Sequence, residues 1–245
     1  MYTSSTATKV MIATGNSGTV WNPTSGTKTE IVDVVSGVTC SELANFPVEF
    51  LAGTTGANLD GTPIVCGGAL PSSEYLDKCY RFTNGVWEDF TSLKEGKKSA
   101  TAVVYNRKLH VFGGRGGYSK FKTSEIINVD GGVSYGPELP RIVSEHAMTS
   151  INDTVSIISG GSLGNYQAVD YFTNQTWYYN HETESFTPGP NLLEGRELHG
   201  SATNVDKVTK AKVAVVAGGY NGASTRLDST ELLINGQWQT GTVES

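Results

Sequence analysis

A short apolar run that ends in two glycines occurs four times along the chain. The second glycines of these pairs are Gly68, Gly114, Gly161 and Gly219, at spacings of 46, 47 and 58 residues. Each run is partly β-branched and is bounded by glycine, which predicts a short buried strand rather than a helix. Paired glycines at a strand end permit a positive φ angle and a close approach of another backbone. A repeat of this period indicates a fold built from copies of one unit.

Each repeat also contains three further segments with the pattern of a strand. In the second repeat, segment 50–57 precedes the glycine-ended run, and segments 78–82 and 86–90 follow it. Asp60–Gly61 and Asn84–Gly85 separate these segments, and such pairs between alternating runs favour tight hairpins. Four antiparallel strands per repeat at this period predict the blades of a β-propeller.

Five repeats can be recognised in the 245 residues, a length compatible with one large all-β domain. A degenerate copy of the glycine-ended run, residues 10–16, begins the first repeat. No segment before it has a clear pattern of a first, inner strand. We therefore predict an all-β chain that forms a single β-propeller of about five four-stranded antiparallel blades, of which the first is incomplete. The approximate blade boundaries are 9–49, 50–96, 97–143, 144–195 and 196–245.

The glycine pairs stand in order with aromatic residues of the predicted third and fourth strands, and this arrangement resembles the kelch-repeat family. The resemblance covers residues 50–240 well and 9–49 loosely, and the pattern is similar to that of secreted invertebrate kelch proteins. Ile127 and Leu232 depart from it, because the family often has Tyr there. The residues that carry the resemblance are Gly67, Gly68, Tyr80 and Trp87, then Gly113, Gly114 and Tyr135, then Gly160, Gly161, Tyr179 and Phe186, and finally Gly218, Gly219 and Trp238.

Kelch propellers most often have six or seven blades, so the resemblance raises the question of how five blades form a ring. Three possibilities remain open: a five-bladed ring with an incomplete blade, a fragment of a larger ring, or a ring that a second chain completes. Only residues 241–245 follow the last predicted strand, which is too short to supply the missing inner strand. We favour a five-bladed unit, and a homo-oligomer is one way to close it.

The three cysteines bear on the compartment of the protein. Cys66 ends the second strand of the second repeat and Cys79 lies on its third strand, with twelve residues between them. Adjacent antiparallel strands place Cα atoms about 4.5–5.5 Å apart, within the reach of a disulfide. Two buried thiols in a cytosolic blade are the alternative, and the resemblance to secreted invertebrate kelch proteins favours the disulfide. Cys40 is left over, as a buried thiol or as an intermolecular partner.

Two Asn-X-Thr sequons predict N-glycosylation at Asn152, on a predicted turn, and at Asn174, on a predicted loop. Together with the disulfide they favour a secreted, extracellular protein, and a cytoplasmic location is the alternative. No signal peptide is visible at the start of the chain. No apolar run approaches the roughly 20 residues that span a bilayer, so we expect no membrane span.

Four polar residues occupy matching places before or at the start of the inner strands of the fourth and fifth blades. One interpretation is a polar ring around the central channel that holds an anion or a carboxylate. The other interpretation, which we favour, is hydrogen bonding that recurs with the fold. The four residues are Arg141, His146, Arg196 and His199.

We expect no catalytic activity, no cofactor and no metal site. Enzymes occur on related propellers, including copper-radical oxidases and sugar mutarotases. A copper site needs convergent His and Tyr ligands, but the four histidines are scattered over the repeats. No Ser-His-Asp order can be recognised. The net charge of −6 argues against a nucleic-acid partner, for which a basic stripe is expected.

The loops between the second and third strands vary most, and we expect them to emerge on one face of the propeller, called here the loop face. Arg and Tyr are residue types that anchor interfaces. We predict a non-enzymatic extracellular module that binds a protein or glycoprotein through this face. The alternatives are a structural or matrix protein that polymerises through an incomplete ring, and an intracellular kelch adaptor. The predicted binding residues are Trp21, Arg115, Tyr118, Lys120, Tyr166, Tyr171, Tyr220 and Arg226.

Overall fold

The described part of the chain is entirely β-structure. The computed structural model describes residues 9–13, 16–19, 22–40, 43–49, 52–164, 172–205, 212–221 and 226–241. These residues form 23 strands and no helix. The strands make four antiparallel sheets of four strands, one of three strands, and two separate two-stranded hairpins. The prediction of an all-β chain with four-stranded repeats is therefore confirmed.

The four-stranded sheets are blades 2 to 5, and in each of them the strands pair in chain order, so every connection is antiparallel. The first to fourth strands are Thr55–Leu59, Thr62–Cys66, Lys78–Thr83 and Val86–Ser92 in blade 2; Thr101–Tyr105, Lys108–Phe112, Ser124–Asn128 and Val133–Tyr135 in blade 3; Ala147–Ser150, Val155–Ser159, Thr176–Asn180 and Ser185–Pro188 in blade 4; and Gly200–Val205, Lys212–Ala217, Thr230–Ile234 and Gln237–Thr240 in blade 5.

Blade 1 has three strands among the described residues, Lys9–Ala13, Thr29–Asp33 and Thr39–Cys40, and they correspond to the second, third and fourth strands of the other blades. Among the described residues the first blade is therefore a three-stranded sheet. Two hairpins lie in connections between second and third strands. They are Asn16–Thr19 with Asn22–Ser25 in blade 1, and Arg115–Gly116 with Ser119–Lys120 in blade 3.

Tight turns join the strands on the side of the blades opposite to the loop face. In blade 2, Asp60 and Gly61 have φ angles of 53° and 85°, and Asn84 and Gly85 have 51° and 84°. Two successive positive φ angles match the twist of the flanking strands, which is why Asp-Gly and Asn-Gly are favoured there. These turns fix the register and so decide which residues of each strand face a given neighbour.

Successive blades pack face to face in chain order, and the alternation of side chains along each strand supplies both contacts. In the second strand of blade 3, Leu109 and Val111 belong to the cluster shared with blade 2, while Phe112 belongs to the cluster shared with blade 4. In blade 4, Ile158 packs toward blade 3 and Ile157 toward blade 5. Blades 3 and 4 are therefore each buried on two faces, so neighbouring blades stabilise one another.

The glycine pairs of blades 2, 3 and 4 join each of these blades to the next. Gly113 and Gly114 have φ angles of 60° and 93°, and the amide of Gly114 donates to the carbonyl of Val143, which precedes the inner strand of blade 4, at 2.9 Å. A Cβ atom on Gly113 would lie 2.6 Å from that carbonyl oxygen. Both expectations for the pair, positive φ and close backbone approach, are confirmed.

Blade 2 contains the predicted disulfide. Cys66 and Cys79 are direct partners in adjacent strands and are joined by a disulfide, with a Cα–Cα distance of 4.0 Å. Both side chains are buried in the cluster between blades 2 and 3. Cys40 ends the fourth strand of blade 1, opposite Ile31. Within the described residues no helix has the length and hydropathy needed to cross a bilayer.

Candidate functional site

A row of left-handed residues lies just before the inner strands of blades 2 to 5. Gly53, Ser99, Glu145 and Leu198 have φ angles of 72°, 55°, 59° and 55°. The amide of Ser99 donates to the carbonyl of Gly53 at 2.7 Å, that of Glu145 to Ser99 at 3.0 Å, and that of Leu198 to Glu145 at 2.9 Å. Four blades are thus linked by backbone bonds through one residue each, and we call these residues the inner row.

Three inner-row residues are not glycine, so each holds a conformation that costs an L-residue about 1–2 kcal/mol. The inter-blade backbone bonds offset this cost. The inner row lies at the start of the inner strands. The second strand of each blade is antiparallel to the inner strand, so it ends on this same side, where the loop to the third strand begins. The side chains of Ser99, Glu145 and Leu198 therefore stand at the centre of the loop face.

Charged side chains converge beside the inner row, and we call Lys98, Arg115, Lys120, Glu145 and Glu197 the ionic cluster. Two backbone hydrogen bonds of 2.9 Å pair Lys98 with Arg115. Arg115 and Lys120 are opposite each other in the blade 3 hairpin. The Nε atom of Arg115 lies 3.6 Å from Oε1 of Glu145. Blades 3, 4 and 5 all contribute to this cluster.

Lys120 and Glu197 reach the cluster from the two sides of blade 4. The Lys120 ammonium donates a short hydrogen bond to Oγ of Ser162, and Ser162 also interacts with the carboxyl group of Glu197. Two backbone bonds of 2.9 Å pair Glu197 with Tyr220. The residue that directly follows the glycine pair therefore holds the cluster in place in each of blades 3, 4 and 5. These residues are Arg115, Ser162 and Tyr220.

The carboxyl groups of Glu145 and Glu197 interact directly. The Glu145 side chain is 9% exposed and Glu197 as a whole 8%. Burial, followed by the charge of Glu145, raises the pKa of Glu197 to about 7. Burial is also the main cause of the lowered pKa values of Lys98 and Lys120, to which the positive charge of Arg115 adds. At neutral pH the carboxyl group of Glu197 consequently carries a proton for part of the time.

Three buried polar atoms of the cluster have no hydrogen-bond partner among the described residues: Nε of Arg115, Oε2 of Glu145 and Oε2 of Glu197. The cluster has the chemistry to bind an oxyanion through its cations and to gain or lose a proton at its carboxyl pair. In the described part of the chain, no group of three or more His, Cys, Asp or Glu side chains is placed to hold a metal ion.

The structure brings some of the predicted binding residues together. Arg115 and Lys120 belong to the ionic cluster, and Tyr118 is fully exposed at the tip of the same hairpin. Arg226 Nε donates to the hydroxyl of Tyr220 at 3.2 Å in blade 5. The remaining three predicted residues, Trp21, Tyr166 and Tyr171, lie outside the described residues.

The four residues of the predicted polar ring bond to other residues of the blades. Arg196 is completely buried, and its guanidinium bonds to Glu231 inside blade 5 at 2.6 Å. His146 and His199 reach back to the preceding blade, to Thr101 Oγ1 at 2.9 Å and Ser159 Oγ at 3.0 Å. Arg141 donates a short bond to Gln175. The interpretation as a polar ring is therefore corrected. These groups form hydrogen bonds within and between blades, as expected from the other interpretation, hydrogen bonding that recurs with the fold.

Lys98, Glu145 and Glu197 were not predicted from the sequence. They stand beside residues that were singled out, since Glu145 precedes His146 and Glu197 lies two residues before His199. Their common signal is position, because each lies within three residues of the start of an inner strand. Sequence patterns do not show that this position is left-handed or central, since the contacts that make it so join residues 46 to 53 positions apart.

Comparisons with known proteins support the fold. No family model matches the chain, and no curated protein sequence matches it. Among 199 matching chains of solved structures is YjhT, which is similar with a TM-score of 0.77 and 15% sequence identity over 96% of this chain and 81% of that one. At this identity the likeness concerns the fold alone. Together with the stacked antiparallel sheets, it identifies the architecture as an all-β, β-propeller-like fold.

Proposed function

We propose that this protein is a kelch-type β-propeller that acts outside the cell as a non-enzymatic binding module and contacts a protein partner through its loop face. The observation that carries this proposal is the ionic cluster, in which charged side chains of three blades, among them Arg115 and Glu145 at 3.6 Å, lie together at the centre of that face. Charged groups held in place by neighbouring blades select a partner of complementary charge.

The periphery of the loop face supports a protein partner. Tyr118 is fully exposed, and it borders a groove of about 570 Å³ together with Ile142 and Leu163. Tyr220 and Arg226 form a second anchor in blade 5. Aromatic and arginine side chains around a charged centre are typical of residues that carry binding energy.

Capture of partners tests this proposal. Wild-type protein on beads is compared with the triple variant Arg115→Glu, Lys120→Glu and Tyr220→Ala in the secreted protein fraction of the source organism. The control variant is Arg107→Glu, which changes a charge on the opposite side, in the turn between the first two strands of blade 3. We expect the triple variant to lose the captured proteins and the control to keep them. Equal capture by all three proteins would rule out the loop face.

The extracellular location is supported by the disulfide and by two sequons, because disulfides persist in oxidising compartments. A mass spectrum of protein from its natural source tests it. We expect an intact Cys66–Cys79 bridge and a glycan. Free thiols at both positions, together with unmodified Asn152 and Asn174, would instead favour the intracellular adaptor.

Assembly is a second candidate function, and the exposed apolar side chains of blade 1 favour it. Val34, Val35 and Val38 lie in and after the turn between its third and fourth strands and are 59%, 79% and 65% exposed. Exposed apolar patches mark interaction surfaces. If blade 1 mediates assembly, light scattering over a concentration series will show oligomers that disappear when the three valines are replaced by Thr. A monomer at every concentration would exclude this function.

A further inference from the structure

The side of the blades opposite to the loop face, called here the turn side, is tied by ion pairs at two junctions. Between blades 2 and 3, Nη2 of Arg107 lies 2.8 Å from Oδ2 of Asp60. Between blades 4 and 5, Nζ of Lys212 lies 3.0 Å from Oδ1 of Asp153. All four residues lie in or beside the turns between first and second strands. In the described part of the chain, no ion pair joins the corresponding turns of blades 3 and 4.

Aromatic rings occupy the turn side of the junction between blades 3 and 4. The ring of His181, directly after the third strand of blade 4, stacks on that of Tyr105 in the inner strand of blade 3, with centroids 4.7 Å apart. It also contacts the ring of His110, in the second strand of blade 3, with centroids 5.6 Å apart. The hydrogen bond of His181 stays within blade 4, where Oγ of Ser156 lies 2.8 Å from Nε2. Nδ1 of His181 and both ring nitrogens of His110 have no hydrogen-bond partner in the described structure, so neither histidine is bonded across the junction.

The other edge of this junction, at the loop face, is held by hydrogen bonds. Besides the bond from the glycine pair of blade 3, the amide of Glu145 donates to the carbonyl of Ser99 at 3.0 Å. Nε2 of His146 lies 2.9 Å from Oγ1 of Thr101. One edge of the junction is therefore hydrogen-bonded, whereas the described residues of the other edge are held by packing, and this asymmetry is that of a hinge.

We propose that blades 3 and 4 part on the turn side when His110 and His181 take up protons, while the hydrogen bonds at the loop face stay intact and act as the hinge. This opening is a conformational device of the fold and does not depend on the proposed binding function. Each ring gains one proton from solvent, so no other reactant is needed. Two imidazolium rings 5.6 Å apart repel each other, and their unpartnered nitrogens then donate into a closed junction where they have no acceptor. Opening of the junction hydrates both rings.

The groups around the two rings favour opening over pairing. Burial is the main cause that lowers the pKa of each ring; the charge of Lys108 adds to it for His110, and the charge of His110 adds to it for His181. The remaining titratable groups around the rings are Tyr105, Tyr179 and Glu184. The acid among them, Glu184, acts on Tyr179, whose pKa is raised mainly by burial. A protonated ring therefore meets positive neighbours and no carboxylate that stabilises it.

The direction of the pH effect follows from the pKa values of the closed junction. Burial lowers the pKa of both rings from 6.5 to about 4, and a ring that is hydrated by opening regains its ordinary pKa. The closed junction excludes protons that the open junction binds, so it is fully stable above about pH 6.5 and loses stability as the pH falls toward 4. From pH 7 to pH 5, opening is favoured about twentyfold by one such ring and about 400-fold by two. The junction between blades 4 and 5 contains one histidine, His199, which gives about twentyfold.

Thiol labelling of two neighbouring residues distinguishes the two junctions of blade 4. Ile158 packs toward blade 3 and Ile157 toward blade 5, so Ile158→Cys and Ile157→Cys report on opposite faces of one strand. Each is made in the full chain with Cys40→Ser and labelled with dithiodipyridine at pH 7 and pH 5, and its rate is divided by that of a Cys-containing peptide at the same pH. From pH 7 to pH 5 we expect the corrected rate to rise about 400-fold for Ile158→Cys and about twentyfold for Ile157→Cys.

Two outcomes of this measurement would overturn the proposal. An equal rise at both positions would show that the whole chain unfolds rather than one junction. A rise of about twentyfold or less for Ile158→Cys would show that the histidine pair does not open the junction between blades 3 and 4.

Histidine variants of the Ile158→Cys protein identify the groups that take up the protons. His110→Ile is expected to reduce the rise to about twentyfold, and His110→Ile with His181→Phe to abolish it, because Ile and Phe keep the apolar and aromatic contacts but bind no proton. The matched control His199→Gln changes the junction on the other side of blade 4 and is expected to keep the full rise. A full rise that persists in the double variant would contradict the proposal. Circular dichroism at both pH values establishes that each variant is folded, and the Ile158→Cys protein with all its histidines tests the opening where a histidine variant does not fold.

Discussion

Blades 3 and 5 resemble each other inside their third strands, and blade 4 between them differs. The second residue of this strand is Glu125 in blade 3 and Glu231 in blade 5, but Trp177 in blade 4. Glu125 pairs with the buried ammonium of Lys97 at 2.8 Å, and Glu231 with the buried guanidinium of Arg196 at 2.6 Å. In blade 2 the same position is Cys79 of the disulfide.

The partners of these residues are also equivalent. Lys97, Val143 and Arg196 each accept a hydrogen bond from the second glycine of the preceding blade through their carbonyl groups. In blade 4 the ion pair is thus replaced by Val143 and Trp177, which line the same small apolar cavity. One backbone therefore accommodates an ion pair, an apolar contact or a disulfide at one position. This comparison shows that a blade can form without the buried ion pair. A blade that contains one charged residue of the pair, however, needs the oppositely charged residue as well.

The largest effect is expected when one partner of a buried pair is removed. Arg196→Met leaves the buried Glu231 carboxylate with the amides of Leu193 and Glu194 but without a cation, which costs about 3–5 kcal/mol of unfolding free energy. Urea denaturation measures the loss.

The double variant Arg196→Met with Glu231→Leu imitates the apolar solution of blade 4. We expect it to be more stable than Arg196→Met alone, because no buried charge remains. A double variant as unstable as the single one would show that the bonds from Arg196 to Ser229 and the Gly218 carbonyl, rather than its charge, hold blade 5 together.

In blade 2 the disulfide takes the place of the ion pair, and its removal has the second-largest expected effect. Cys66→Ala with Cys79→Ala is expected to lower the unfolding free energy by about 3 kcal/mol, because the short closed loop no longer restricts the unfolded chain. The same denaturation experiment measures it. The loss is expected to match that of wild-type protein after reduction, and a double variant as stable as oxidised wild type would contradict the prediction.

Acid is expected to weaken the two junctions of blade 4 selectively. His110, His146, His181 and His199 all lie there, and burial lowers their pKa values from 6.5 to about 4, 4, 4 and 3. Because the unfolded chain binds protons that the folded chain excludes, stability falls as the pH drops from about 6.5 toward 4. Each histidine contributes roughly 2 kcal/mol to this loss at pH 5.

His110→Ile isolates one of these contributions. His110 is the third residue of its strand, where blades 2 and 4 have Ile64 and Ile157, and neither of its ring nitrogens has a partner in the described structure. The variant is expected to lose about 2 kcal/mol less than wild type between pH 7 and pH 5 in thermal or urea unfolding. The same acid loss in both proteins would show that His110 is not buried in the neutral form.

Local patterns predicted the parts of this fold that depend on local physics. The glycine pairs and the Asp60–Gly61 and Asn84–Gly85 turns follow from backbone conformation and strand alternation. The same alternation places Cys66 and Cys79 on adjacent strands, and the family resemblance favoured their disulfide. The role of Arg196 does not, because its partner Glu231 is 35 residues away and only the folded blade places it. For the same reason, only some of the residues at the centre of the loop face were predicted. Arg115 and Lys120 lie in a recognisable loop, whereas Glu145 and Glu197 become neighbours only through the stacking of blades 4 and 5.

The smallest effect concerns the two sequons, both of which belong to blade 4. Asn152 is exposed in a turn, and its Oδ1 accepts from the amides of Thr154 and Val155, which leaves Nδ2 free to carry a glycan. Asn174 instead donates through Nδ2 to Leu192 at 3.2 Å, and the hydroxyl of Thr176 is buried on Pro190. After expression in a eukaryotic secretory pathway, we expect one glycan, lost in Asn152→Gln and retained in Asn174→Gln, by mass spectrometry before and after enzymatic deglycosylation. Stability should change by less than about 0.5 kcal/mol in Asn152→Gln, as for other surface substitutions. A glycan on Asn174 would mean that the segment before the third strand of blade 4 opens, and that this blade is held less firmly than its neighbours with ion pairs.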